Sequence, residues 1–106
     1  MRSLILAAAF GLSAVAAMTT TSPAQATGKV KCQAGPQSGW KNVAALKVQL
    51  TNSGWQVTKA KVDGGCYEVY GTTPEGDRVE AYFHPVTLEK LYVARRGEVL
   101  FRKKGY

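Results

Sequence analysis

Apolar spacing in this chain changes once, at Gly54, and that change limits what it can fold into. In WKNVAALKVQLTNSG (40–54), Val43, Leu46 and Leu50 recur at i, i+3 and i+7, with Lys41, Lys47 and Gln49 largely elsewhere on the wheel. The spacing predicts an amphipathic helix of about three turns. Ser38 or Asn42 is placed to cap its start, and Gly54 fits the left-handed C′ position that ends such helices. After Gly54 the period is two. WQVTKAKV (55–62), CYEVY (66–70) and RVEAYFH (78–84) read as strands, separated by the hairpin signal DGG (63–65) and the turn GTTPEGD (71–77). Trp55 and Val57 share one face while Ala60 and Val62 share the other. That break predicts a bulge near Thr58-Lys59, or two partly covered faces.

A helix followed by consecutive hairpins implies an α+β fold, one amphipathic helix on an antiparallel β-meander of three to four strands. Leu46 and Leu50 are expected to pack on Val57, Tyr67, Val69, Val79, Ala81 and Phe83. The opposite face then carries Glu68, Tyr70, Glu80, Tyr82 and His84, with Cys66 on that side or at its edge. Beyond Pro85 two readings compete. LYVARRGEVLFRK can turn at Arg96-Gly97 as a hairpin, or Leu88, Leu91, Tyr92 and Arg95 can form a helical face. Tyr92-Val93 and the preceding meander favour a fourth strand around 88–94. The remainder has room for a short extra strand.

The N-terminus reads as a secretory signal. Arg2 supplies a positive n-region, an apolar run extends from Leu4 to Ala17, and Ala24-Gln25-Ala26 is a small-residue cleavage site. Cleavage after Ala26 would leave about 80 residues with a net charge of about +6, enough for one small domain. The expected organisation is a leader at 1–26, an irregular lead-in at 27–37, a domain at 38–93 and a basic tail at 94–106. The expected location is periplasmic or secreted, and after processing no integral membrane segment remains.

Export bears directly on the cysteines. Cys32 and Cys66 would meet an oxidising compartment, where two thiols in a small domain most simply pair with each other. In the chain-entropy model such a loop is worth roughly 3–4 kcal/mol, comparable to the whole stability of so small a core. The chain has neither a C-x-x-C pair nor a haem-attachment motif, and two Cys with one His fall short of a structural zinc set. The lead-in carrying Cys32 must then reach around the end of the sheet.

GWQVTKAKVDGGCYEVYG and GDRVEAYFHPVT together resemble the small exported PepSY-type domains. Gly54-Trp55-Gln56-Val57 matches the helix end and first strand of that pattern, and Tyr67-Glu68-Val69 its Y-E-V strand. Val79 to Thr87 matches its V-E-x-Y-x-[DN]-P-x-T segment, except that His84 stands where Asp or Asn is usual. The resemblance spans about residues 38–93. It implies an extracytoplasmic, non-catalytic module with a role in binding or regulating proteins, for which peptidase inhibition has been proposed; from the residues themselves no cofactor and no metal are expected.

The residues themselves offer one weak alternative in catalysis. His84 with Glu80 or Glu68 is the only acid–base cluster, but Glu80 and His84 lie about 13 Å apart along a strand and no motif nucleophile joins them. An enzyme is therefore not expected. Glu68, Tyr70, Glu80, Tyr82 and His84 are the candidate face for another envelope or secreted protein. Arg95, Arg96, Arg102, Lys103 and Lys104 are candidates for an anionic lipid or polyanion surface. Nucleic acid is not expected as a partner of an exported chain with no RNP-like motif.

Overall fold

Asn42 opens the helix. In the computed structural model, which describes residues 29–106, its side chain accepts a hydrogen bond from the Ala44 amide at 2.8 Å. Helix α1 then runs Val43–Asn52. Gly54, at φ 95°, takes the left-handed conformation that ends it. The leader expected at 1–26 lies outside the described residues. Of the two cap candidates, Asn42 is the one used; Ser38 lies in a 3₁₀ turn, Gln37–Gly39.

Five strands follow: β1 (Gln56–Asp63), β2 (Cys66–Thr72), β3 (Arg78–Phe83), β4 (Lys90–Arg95) and β5 (Glu98–Arg102). Each pairs antiparallel with its sequence neighbour, in the order β1-β2-β3-β4-β5. The meander expected from the sequence is therefore present, but with five strands in place of three to four. The difference lies at Arg96-Gly97. Both residues are left-handed (φ 51° and 82°), which is the two-residue type I′ geometry that folds a strand straight back on its neighbour. Asn-Gly would have announced that turn; arginine in its first position does so weakly. Residues 94–102 accordingly finish β4, turn and form β5, and only 103–106 follow the sheet. Leu91, Tyr92 and Arg95 are strand residues and form no helical face.

The register shift between Val57 and Lys59 confirms the bulge near Thr58. It lets Val57 and Ala60 pack on the same side of the sheet. On that side the helix buries Leu46 and Leu50 against Tyr67, Val69, Val79, Ala81 and Phe83, as the spacing implies, with Leu88 and Val93 added. Trp40 stacks edge-on to Tyr67 at 5.6 Å, and Trp55 to Phe83 at 5.9 Å. The Tyr67 hydroxyl donates to the Lys41 carbonyl at 2.7 Å, tying the helix entry to β2.

The other side of the sheet has its own small core: Val30, Cys66, Tyr82, Leu91, Tyr92 and Ala94. Val30 and Cys32 reach it because the lead-in runs across the β1–β2 turn. The Cys32 amide donates to the Gly64 carbonyl at 2.8 Å. The turn has to be glycine for this crossing. A Cβ on Gly64 would lie 2.5 Å from the Val30 carbonyl oxygen, and one on Gly65 2.5 Å from that of Cys32. The disulfide Cys32–Cys66, with a Cα–Cα distance of 5.2 Å, closes the crossing.

Replacing both cysteines by serine should lower the stability by about 2–4 kcal/mol. Urea melts of oxidised protein, reduced protein and the double variant measure this. The reduced protein and the variant should coincide.

Candidate functional site

Cross-strand register builds two side-chain rows on the sheet face away from α1. The first runs Lys61, Glu68, Tyr82, Tyr92, Arg102 across all five strands. The Lys61 ammonium stands 3.8 Å from the Glu68 carboxylate. Tyr82 and Tyr92 pack edge to face at 5.7 Å, and the Arg102 guanidinium lies 4.9 Å from the Tyr92 ring centre. The second row runs Lys59, Tyr70, Glu80, Ala94, Val99. Lys59 sits over the Tyr70 ring at 4.8 Å.

The rows differ in bulk, and that makes a groove. Ala94, the smallest side chain of the second row, leaves space beside Tyr70 and Glu80. The result is a cavity of about 550 Å³ lined by Tyr70, Glu80, Gly71 and Ala94, with Lys59, Arg78 and Arg96 around it. Glu80 lines this cavity, and one of its carboxylate oxygens is buried without a hydrogen-bond partner. A buried acceptor in that state is the sort of group that a ligand's N–H or ammonium would satisfy. The nearby cations suit carboxylates, and the Tyr70 ring offers a flat apolar contact.

The five residues expected on this face do lie on it or at its end, but they are not equally available. Glu68 and Tyr82 are fully buried, whereas Tyr70, Glu80 and His84 are half-buried. The crossing lead-in and the second core account for this, since Tyr82 packs into that core and donates to the Asp63 carboxylate at 2.7 Å. His84 has a local task. Its Nδ1 accepts from the Val86 amide at 3.1 Å, the bond that Asp or Asn makes to its own backbone two residues on. His84 thus stands in for the residue type usual before that proline.

Electrostatics single out Glu68. Burial raises its carboxyl above the ordinary value of 4.5, with Asp63 and Glu80 adding repulsion; Tyr70 and Lys61 oppose the shift. The Tyr70 phenol, pushed up to about 12 by burial and by the Glu68 charge, lies near that carboxylate without the geometry of a formed hydrogen bond.

The basic residues from Arg95 onward are dispersed. Arg95 bridges Asp77 (2.6 Å) and Glu98 (3.0 Å), which raises its pKa. Lys103 pairs with Glu89 at 3.2 Å. Arg102 covers Tyr92 and donates to the Tyr106 carbonyl at 3.0 Å. Arg96 lines the groove, and Lys104 is exposed beyond β5.

Sequence reasoning passed over Lys59, Lys61, Arg78 and Ala94. The signal for the two lysines was the bulge itself, since shifting the register after Thr58 brings both onto the face of Glu68 and Tyr70. Among the described residues no group of three or more His, Cys, Asp and Glu is placed to hold a metal ion, and no helix is long and apolar enough to cross a membrane.

A family model described as "Peptidase propeptide and YPEB domain" matches residues 6–92. The matched span ends inside β4, and β5 lies beyond it. No curated protein and no solved structure matches the chain.

Because the folded-state pKa of Glu68 is raised, the folded protein holds that proton more tightly than the unfolded chain. The stability this brings is present below pH 4.5 and is lost as pH rises through the folded value. Glu68→Gln should therefore stabilise the protein at pH 7, on the order of 1 kcal/mol. It should also flatten the stability profile between pH 4.5 and neutrality. Chemical denaturation across that range checks both.

Proposed function

The chain belongs to the peptidase propeptide and YPEB (PepSY) family, and from that membership we propose that it is a non-catalytic protein-binding module of the cell envelope, restraining a peptidase-type partner through the groove beside Tyr70. Domains of this family are propeptide- and inhibitor-like modules, which supports a binding role over a catalytic one. The leader-like residues 1–26 and the Cys32–Cys66 bond support an oxidising, extracytoplasmic location.

The observation that carries the reading is the groove itself, where the half-buried Tyr70 ring lies beside Glu80, a residue with one buried oxygen that has no hydrogen-bond partner. Leaving such an acceptor unsatisfied costs about 1–3 kcal/mol. A partner segment that donates an N–H to Glu80 and lays a side chain on Tyr70 recovers that cost. An aromatic wall beside a desolvated polar group is the usual make-up of an interface hot spot. Glu68 and Tyr82 then act from below, holding the floor rigid, and His84 shapes the turn at one end.

The anionic-surface reading loses ground by comparison. Arg95, Arg102 and Lys103 are engaged within the fold, leaving Arg96 and Lys104 as the cations of that set with neither an ion pair nor a hydrogen bond of their own.

A photocrosslinking residue at Tyr70 in the exported protein should capture an envelope protein with peptidase activity, and adding the oxidised protein should lower that activity. Tyr70→Ala should weaken binding about 30-fold, a loss at the scale of a hot-spot residue, and Glu80→Gln should weaken it less. Lys104→Ala should leave binding unchanged. Equal affinity for Tyr70→Ala and the parent protein would remove the groove from the interaction.

A further inference from the structure

All five residues of β5 are exposed, and Val99, Leu100 and Phe101 form a contiguous apolar run on it. β5 is one outer edge of the sheet. The other edge, β1, carries Lys59 and Lys61 and a bulge, devices that discourage strand addition. β5 has a bulge too, but its consequence is different. Val93 pairs with Phe101 and Ala94 with Val99, so Leu100 is the extra residue. Leu100 and Phe101 both line a groove of about 430 Å³ on the helix side, next to Trp55, Pro74 and Val93. Val99 follows Ala94, and Arg102 follows Tyr92, onto the opposite face. By strand alternation Glu98 and Lys103 return to the helix side.

From residue 98 to 103 the faces therefore read helix, open, helix, helix, open, helix. That order is the same from either end. A second copy laid antiparallel on β5, with the two-fold axis between Leu100 and Phe101, sets Glu98 opposite Lys103, Val99 opposite Arg102 and Leu100 opposite Phe101. Every pair shares a face, the ends carry opposite charges and the centre is apolar, which is what cross-strand pairing rewards. The main chain agrees. The Lys103 amide donates to the Leu91 carbonyl, so the amide and carbonyl of Arg102 point away from β4, to the free edge. Glu98 and Lys103 keep 64% and 39% of their side-chain surface exposed despite their internal ion pairs, leaving room for a second partner.

We propose that β5 is a self-pairing edge, joining two copies of this chain in a two-fold antiparallel contact that makes one continuous sheet with both helices on the same side. The contact is independent of the Tyr70 groove. A strand this short buries less than the standard interface, so the dimer is weak and reversible, with a dissociation constant on the order of 100 μM.

Sedimentation of the oxidised protein from about 10 μM to about 1 mM should show a monomer–dimer equilibrium. Glu98→Lys and Lys103→Glu should each weaken it about fivefold, since each places like charges at both ends of the contact. Mixing these two variants should restore association as a heterodimer, and the Glu98→Lys/Lys103→Glu double variant should recover the homodimer. Leu100→Lys should abolish dimerisation. Circular dichroism and the non-reducing mass verify that each variant is folded and bridged; Glu98 is exposed and Lys103 half-buried. A monomer across the whole range overturns the proposal, even one whose edge accepts an unrelated extended peptide. So does a dimer indifferent to all the variants, or a mixture that fails to recover.

Discussion

Cys32 and Cys66 meet at the one end of the sheet where the chain ahead of the helix passes to the face that the helix leaves uncovered. A short antiparallel sheet with a single helix normally has one dry face and one wet face. The disulfide changes that. It holds Val30 and Cys32 over the β1–β2 turn, and Tyr82, Leu91 and Tyr92 become a second core beneath them. The buried carboxylate of Glu68 and the covered Tyr82 both follow from that crossing. Without it, the first cross-strand row would be an ordinary solvated face.

Local chemistry carried most of the architecture. The i, i+3, i+7 spacing of Val43, Leu46 and Leu50 located the helix, Asp63-Gly64-Gly65 the first hairpin, and the parity break after Val57 the bulge. These signals are short-range and therefore written in contiguous residues. The strand count failed for an equally local reason: Arg96 adopts a left-handed conformation that its side chain does not advertise. β2 shows the limit of alternation. Cys66, Tyr67, Glu68 and Val69 are all buried, because cores lie on both sides of them. A strand covered on both faces loses the alternation that would reveal which face is which.

The site was legible only in outline. Glu68, Tyr70, Glu80, Tyr82 and His84 were expected on one face from the two-residue period, and they lie there. Which of them reaches solvent depends on the lead-in, a segment of irregular sequence whose path nothing but the disulfide announces. The groove depends on missing bulk at Ala94, a residue that attracts no attention in a search for chemistry. Three cations placed far apart in sequence, Lys59, Arg78 and Arg96, surround it only once strands β1 to β4 are in register.

Strict neighbour pairing throughout the sheet has a kinetic side. Because β1 to β5 pair in chain order, each hairpin closes over a short loop, and the search for native contacts stays local. The β1–β2 turn fixes Cys66 where the lead-in crosses, and Cys32 meets it there. With a single pair of thiols in the chain no intramolecular mispairing exists to be corrected. An oxidant alone is therefore enough to complete maturation, and a disulfide isomerase has no substrate here. A chain wired this way reaches its bridged form in one oxidation step, with no disulfide exchange along the path.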